Sequence, residues 1–219
     1  MIRCHFPVIL LLSLIFCISG YSQVYHNESF VIELKSGGNG DTYITSSAAD
    51  KNYGESKYII AGLRKKNLYW ILFFFRIPFY GEKIYVKDAR LTLFPVLIEE
   101  PEVYNFYLIT DRFFPSDSFH GSDIKKIGVT WNTMPPFDSA PVNSVLIEKP
   151  DVPVFIDIRR AVQKAMDSKS DFCGILLKNS KDFSVSYDTY AVFYSSNNTH
   201  PTYNEMVPRV EISILREIK

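Results

Sequence analysis

About a third of the way along its length, the chain carries the sequence Tyr69-Trp70-Ile71-Leu72-Phe73-Phe74-Phe75-Arg76-Ile77. This stretch is β-branched and aromatic, contains no Gly or Pro, and has the length of a β-strand. A strand with one solvent-exposed face alternates apolar with polar residues, and this one does not alternate before Arg76. Both faces must therefore be covered. The stretch predicts a central strand, with a second sheet on one face and a further layer on the other.

The composition of the 219-residue chain favours a β-rich fold with a sizeable core. It has 17 Phe and 14 Tyr, and large rings fill the space between packed sheets. Lys plus Arg and Asp plus Glu both number 24, so no net field attracts nucleic acid or anionic lipid. We therefore expect one domain after processing, and no nucleic-acid partner.

The first residues predict export. Arg3 precedes an apolar run at 6–18, and small residues stand just before a cleavage point at Gln23. The run is too short to span a membrane, so we expect no transmembrane span. We predict a signal peptide over residues 1–22 and a single domain over 23–219. The location would then be secreted, periplasmic or at the cell surface.

Cysteine usage leaves one alternative to simple secretion. A lipoprotein signal would use Cys17, although Ile15 and Phe16 stand where small residues normally precede that cysteine. Removal of the signal peptide takes Cys4 and Cys17 away and leaves Cys173 of the three cysteines. The exported domain then has no internal disulfide, and Cys173, within an apolar strand, is predicted to be a small buried hydrophobe.

The rest of the chain alternates short apolar segments with turn residues. The predicted strands are 30–35, 41–45, 56–62, 69–77, 88–94, 103–109, 154–156, 172–177, 191–194 and 209–214. Many short strands of this kind indicate an all-β fold. We predict an antiparallel two-sheet β-sandwich of jelly-roll type with one short helix.

The helix and a proline-rich segment are the two candidates for the layer over the central strand. Residues 157–166 predict a helix with Asp157 as N-cap, and its apolar stripe is expected to pack on the outer face of the 69–77 strand. Residues 110–150 carry five prolines and are too long for an ordinary loop. We expect this segment to be pinned across a sheet face or rim by Phe113, Phe114, Trp131 and Phe137.

The order of these segments resembles secreted disaggregatase-related domains, known as DNRLRE domains, which are similar to a family of carbohydrate-binding modules. The matching motifs are 41–44, 52–54, Phe75, 89–93, 129–132 with Pro135, 157–166, 174–177, 193–196 and 208–210. The resemblance implies a jelly-roll sandwich in extracellular proteins, often attached to polysaccharide-active enzymes or surface proteins. The family usually has a basic residue before the strand's Phe and an acidic one after it. Phe74 and Arg76 stand there in this chain, so a ligand contact of that basic residue cannot be carried over.

Sugar binding by a β-sandwich combines exposed aromatic rings with charged and hydrogen-bonding groups. The turn before the central strand offers three consecutive cations, and residues 184–204 offer aromatic rings among Asp and Asn side chains. The candidate carbohydrate-binding residues are Arg64, Lys65, Lys66, Tyr187, Tyr190, His200 and Tyr203. The alternatives are tyrosines that cap the core and a turn that is merely solvated. Trp131 is a further candidate platform, although its place in the proline-rich segment favours a packing anchor.

Oxygen ligands on neighbouring loops suggest a structural Ca²⁺ at Asp41, Asp50 and Asn52. The alternative, which the lack of EF-hand spacing favours, is a set of ordinary Asx turns. No other cofactor is expected.

The sequence shows no constellation of an acid, a base, a nucleophile or a metal that would indicate an enzyme. The histidines are scattered without metal-ligand spacing. The leading hypothesis is a secreted non-catalytic carbohydrate-binding module with a polysaccharide or surface glycan as partner, for example an acidic polysaccharide. A structural or adhesive cell-surface protein is the first alternative, and a polysaccharide-degrading enzyme is the second.

Overall fold

The structure is a computed structural model that describes residues 24–34, 39–78, 84–110, 129–181, 186–200 and 205–218. The predicted signal peptide, Phe113, Phe114 and Tyr203 lie outside the described residues. The strands are β1 (Val24–Glu33), β2 (Gly40–Thr45), β3 (Tyr58–Arg64), β4 (Asn67–Arg76), β5 (Ile84–Leu93), β6 (Pro95–Ile98), β7 (Glu102–Leu108), β8 (Asn143–Ile147), β9 (Val154–Asp157), β10 (Phe172–Asn179), β11 (Thr189–Tyr194) and β12 (Arg209–Ile218). The α-helix, α1, spans Arg159–Asp167, and a single 3-10 turn, Ser46–Ala48, follows β2.

The strands form two antiparallel sheets. The smaller sheet has the order β1-β12-β5-β9, and its first two members are the first and last strands of the described chain. The larger sheet has the order β6-β11-β3-β4-β10-β7-β8, and β2 joins it by pairing with β4. The predicted antiparallel two-sheet sandwich of jelly-roll type with one helix is confirmed.

β4 is the central strand of the larger sheet, and both of its faces are covered as predicted. It pairs with β2, β3 and β10, so that Leu72 lies between Thr42 and Leu176. Alternate side chains point to opposite faces of a strand, which gives β4 two buried surfaces. The inward residues Ile71, Phe73 and Phe75 belong to the main core between the sheets, and the outward residues Trp70, Leu72 and Phe74 belong to a second core.

The second core is covered by the proline-rich segment. Val129, Trp131, Met134 and Phe137 pack there against the outward residues of β4 and β7. Backbone hydrogen bonds hold the segment to the end of β7, because Asp138 N–H donates to the Leu108 carbonyl at 2.9 Å. The prediction that Trp131 and Phe137 anchor this segment on a sheet face is therefore confirmed.

The expectation that the helix covers the outer face of β4 is wrong. The apolar residues of α1 belong to the main core, and α1 is attached to β5 through Gln163 Oε1, which accepts a 2.9 Å hydrogen bond from Val86 N–H. An amphipathic stripe shows that one helical face is buried but not which surface buries it. Asp157 is not the N-cap: α1 begins at Arg159, two residues later than predicted, and Ile158 stands at the N-cap position without a side-chain hydrogen bond. Asp157 Oδ1 still accepts a 2.8 Å hydrogen bond from Arg159 N–H, two residues along the chain.

Two strands were not predicted. β6 begins at Pro95 and has four residues, and β8 lies within the proline-rich segment. Both pair at the outer positions of the larger sheet, which tolerate short strands and the proline that begins β6. None of the described helices is both long and apolar enough to cross a membrane.

Candidate functional site

The turn between β3 and β4 is a two-residue hairpin turn made of Lys65 and Lys66. Both residues have positive φ, 49° and 66°, and they are flanked by the paired residues Arg64 and Asn67. This left-handed geometry matches the right-handed twist of the two strands. Both lysines are exposed. The hairpin therefore presents two adjacent ammonium groups to solvent.

The segment before β11 meets this hairpin. Lys65 N–H donates to Asp188 Oδ1 at 2.7 Å, and the Arg64 guanidinium lies 4.9 Å from the centre of the Tyr190 ring. Tyr190 is 8% exposed, so its ring is buried beneath the Arg64 side chain. Tyr187 is 55% exposed, so its ring is open to solvent. We call this group the turn cluster, and its members are Arg64, Lys65, Lys66, Tyr187, Asp188 and Tyr190.

Gly62 makes the approach of β3 to β11 possible. It pairs with Tyr190, has a φ of 114°, and a Cβ atom there would lie 2.1 Å from the Thr189 carbonyl oxygen. A side chain at this position would therefore push β11 away from β3. The close approach places Tyr190 within reach of Arg64.

Asn179 ties the end of β10 to the start of β11. Its side chain is buried, and Nδ2 donates to the Thr189 carbonyl oxygen at 2.9 Å and to Thr189 Oγ1 at 3.2 Å. Its Oδ1 accepts from Lys181 N–H at 2.7 Å. Because buried amides are costly unless they are satisfied, these bonds fix the backbone on which the turn cluster is built.

An ion pair lies beside the turn cluster. Lys181 Nζ is 2.6 Å from Glu102 Oε2, and the hydrogen bond to Glu102 raises the pKa of Lys181. Burial raises the pKa of Glu102, but hydrogen bonds from Lys181, from Val103 N–H and from Ser180 together lower it below its ordinary value of 4.5. Lys181 thus stays protonated, and the charge of Glu102 balances its charge. The turn cluster itself combines three cations with one carboxylate, so it carries net positive charge.

A row of tyrosines lies near Arg64. Tyr43 and Tyr53 stack with their ring centres 4.3 Å apart, and Tyr69 is 6.1 Å from Tyr43. Burial, and then the neighbouring Tyr53 and Tyr69, raise the pKa of Tyr43 to about 12, while the charge of Arg64 opposes this rise. Arg64 is therefore close enough to this row for its charge to lower the pKa of Tyr43. The sequence did not point to the row, although two of its members lie in motifs of the family resemblance.

The structure does not bring every predicted residue together. His200 follows the far end of β11, where its N–H donates to Asn198 Oδ1 at 3.1 Å and Ser195 pairs with Lys57 at the start of β3. The length of β11 therefore separates His200 from Tyr190. Tyr203 lies outside the described residues. Five of the seven candidates, Arg64, Lys65, Lys66, Tyr187 and Tyr190, thus belong to the turn cluster.

The three candidate calcium ligands each make hydrogen bonds within the protein. Asp41 is buried and accepts from Ser195 Oγ and from Ser196 N–H, both at 2.7 Å. Asp50 accepts from Asn132 Nδ2 at 2.7 Å, and Asn52 Oδ1 accepts from Gly54 N–H at 2.7 Å in an Asx turn. Among the residues that the structure describes, no group of three or more His, Cys, Asp or Glu side chains is placed to hold a metal. The calcium site stays a prediction.

Comparisons with known proteins identify no family for this chain. No protein-family model and no curated protein matches the chain. Among solved structures, the chain is similar to a cryo-EM structure of the mud crab tombus-like virus at 10% identity, over 100% of this chain and 92% of that chain. The TM-score of 0.36 is too low for this similarity to carry an argument about fold or function. The resemblance to DNRLRE domains stays a prediction.

Proposed function

We propose that the protein is a secreted, non-catalytic carbohydrate-binding module that binds an acidic polysaccharide at the turn cluster. One observation carries this proposal: the Arg64 guanidinium rests on the Tyr190 ring beside the two exposed lysines of the hairpin turn. A planar guanidinium and two ammonium groups at one edge suit the carboxylates or sulfates of an acidic glycan.

The remaining members of the turn cluster fit the same ligand. The exposed ring of Tyr187 offers an apolar face for the C–H groups of a sugar and a hydroxyl for hydrogen bonding. The Lys65–Asp188 hydrogen bond and the packing of Arg64 on Tyr190 restrict these groups before the ligand arrives. Such restriction lowers the entropic cost of binding.

A charge-removing variant of the turn tests the proposal. We expect Lys65→Gln/Lys66→Gln to weaken binding of the mature protein to alginate or polygalacturonate by roughly tenfold or more, because two charge-assisted contacts are lost. The measurement is affinity electrophoresis, followed by calorimetry at low and high salt, since exposed ion pairs weaken with salt. The matched control is Lys57→Gln/Lys149→Gln, which removes two exposed lysines outside the turn cluster. Equal affinities for the two double variants would contradict the proposal.

A second candidate function is that of a structural or adhesive surface protein. Tyr25 of β1 and Tyr85 of β5 are 38% and 54% exposed, and their rings meet edge to face with centres 6.0 Å apart. An exposed aromatic pair on the smaller sheet suits contact with another protein. Analytical sedimentation of the wild type and of Tyr85→Ser measures self-association and tests this candidate. The candidate function requires that the wild type self-associates and that the variant does so more weakly.

A further inference from the structure

The ammonium group of Lys178 lies within a cage of three aromatic rings on the outer face of the larger sheet. Lys178 Nζ is 4.9 Å from the centre of the Trp70 ring, 5.1 Å from that of Tyr107 and 5.5 Å from that of Phe137. These rings come from β4, from β7 and from the proline-rich segment, and Lys178 comes from β10. We call the three rings the aromatic cage. Its cation–π contacts fix the position of the ammonium group.

Lys178 forms no ion pair in the described part of the chain, because no carboxylate within residues 24–34, 39–78, 84–110, 129–181, 186–200 and 205–218 pairs with its Nζ. Lys181, only three residues along the chain, does have such a partner in Glu102. The rings shield part of the ammonium from water, and the lysine is still partly exposed. An ammonium group that is positioned by aromatic rings and partly exposed is suited to bind an anionic ligand.

Two further groups beside the aromatic cage suit a sugar. Trp131 is partly exposed, and its ring centre is 4.7 Å from that of Trp70, so the Trp131 ring and the Lys178 ammonium are both neighbours of one side chain. Asn105 is the register partner of Lys178 on β7. The Asn105 Oδ1 accepts from Ser144 Oγ at 2.7 Å, which leaves the amide NH₂ of Asn105 as the donor for a ligand.

We propose that this surface is a second glycan-binding site, which takes one uronate residue, with Lys178 bound to its carboxylate, Trp131 stacked on its ring, and Asn105 donating to a hydroxyl. The ligand class rests on the proposed function, but the surface is separate from the turn cluster. Charge complementarity selects a carboxylated sugar over a neutral one, and the indole face selects a ring over a small anion.

The tryptophans make this site directly observable. The chain has two tryptophans, Trp70 and Trp131, and both lie at this site. Tryptophan emission therefore reports directly on this surface, and the turn variant described below shows whether binding at the turn cluster contributes to the signal. We expect an alginate hexasaccharide to change the emission of the mature protein in a saturable manner, and the neutral hexasaccharide cellohexaose to leave it unchanged.

Variants separate this site from the turn cluster. Lys178→Met keeps a chain of similar length in the aromatic cage without the charge, and we expect it to weaken the fluorescence-detected affinity about tenfold. Lys178→Arg keeps a cation that stacks on the same rings and should bind within about threefold of the wild type, which distinguishes loss of charge from loss of folding. The turn variant Lys65→Gln/Lys66→Gln should retain the fluorescence response.

Each outcome decides the matter. A saturable, carboxylate-dependent response that Lys178→Met weakens and Lys178→Arg retains supports the second site. If calorimetry detects uronate binding while the emission stays unchanged, the second site is refuted and the proposed function stands. If neither method detects binding, both proposals fail. A wild-type emission that responds equally to cellohexaose also overturns the inference, because the selection by charge is then absent.

Discussion

The backbone N–H of Lys65 donates a 2.7 Å hydrogen bond to Asp188 Oδ1, and so connects positions that lie 123 residues apart in the chain. The bond attaches the β3–β4 hairpin to the segment before β11. Asp188 thereby has two opposed effects on an anionic ligand: it positions the turn, and it places a negative charge beside three cations.

Two substitutions of Asp188 separate these effects. Asp188→Asn keeps an oxygen acceptor for Lys65 N–H and removes the charge, so we expect tighter binding of alginate with little loss of stability. Asp188→Ala removes the acceptor as well, and should lower the free energy of unfolding by about 1 kcal/mol and weaken binding. Calorimetric titration and urea unfolding of both variants measure the two quantities. Tighter binding by Asp188→Ala would show that the hydrogen bond does not position the turn.

Gly62 should be far less tolerant of substitution than Gly174. In Gly62→Ala, the new Cβ meets the Thr189 carbonyl oxygen at 2.1 Å in a backbone with a φ of 114°. Strain and overpacking together should lower the free energy of unfolding by roughly 3 kcal/mol or more. In Gly174→Ala the nearest atom is Ile109 Cβ at 3.0 Å and the backbone φ is not positive, so the overlap is smaller, no backbone strain is added, and the loss should be smaller. Thermal unfolding of both variants checks this order, and equal losses would contradict the strained approach of β3 to β11.

The sequence of β4 sufficed to predict the general architecture, because an apolar strand without alternation must be buried on both faces. The same reasoning could not say what lies above it. The helix stripe and the proline-rich segment both contain apolar residues that could cover this face. Only the three-dimensional path of the chain shows that Trp131 and Phe137 pack on Trp70 and Tyr107.

The sequence predicts only those parts of the candidate site whose residues are neighbours in one turn. Lys65 and Lys66 are adjacent, and any hairpin there exposes both of them. His200 is ten residues beyond Tyr190, but Tyr190 is near the start of β11 and His200 follows its other end, so the strand keeps them apart. Lys178 follows the apolar run of β10, and the local sequence gives no sign of its site, because its three aromatic neighbours come from distant parts of the chain.

Acid should destabilise the protein through its paired carboxylates. A hydrogen bond from Arg216 lowers the pKa of Glu28, and one from Arg90 lowers the pKa of Glu211, in both cases from an ordinary value of 4.5. A lowered pKa in the folded state means that protonation favours unfolding, so this stabilisation is fully present above 4.5 and is lost as the pH falls through the folded-state values. Urea unfolding over acidic pH should show a falling midpoint. Arg90→Met should make that fall shallower, and an unchanged profile would contradict a role for the Arg90–Glu211 pair.

Cys173 should be unreactive in the folded protein. The side chain is 1% exposed within the main core, which confirms the prediction of a small buried hydrophobe, and burial raises the pKa of its thiol. Both effects oppose formation of an accessible thiolate, which is the reactive form. Measured on residues 23–219, which lack the predicted signal peptide and its Cys4 and Cys17, alkylation by iodoacetamide at mildly alkaline pH should be slow until denaturant unfolds the domain. Rapid labelling of the folded domain would show that β10 opens locally.

High pH should reveal the link between Arg64 and the tyrosine row. Because the pKa of Tyr43 is raised from 10.0 to about 12, the folded state favours the protonated phenol. Its contribution to stability is therefore fully present below pH 10.0 and is lost as the pH rises toward about 12. In a near-ultraviolet titration of tyrosine ionisation, Tyr43→Phe should remove a late transition near pH 12. Tyr58→Phe, at an exposed tyrosine outside the row, is the control that keeps this transition. Arg64→Gln should move this transition to still higher pH, because the guanidinium is the cation that opposes the rise. A transition that stays in place would show that the Arg64 charge does not reach Tyr43.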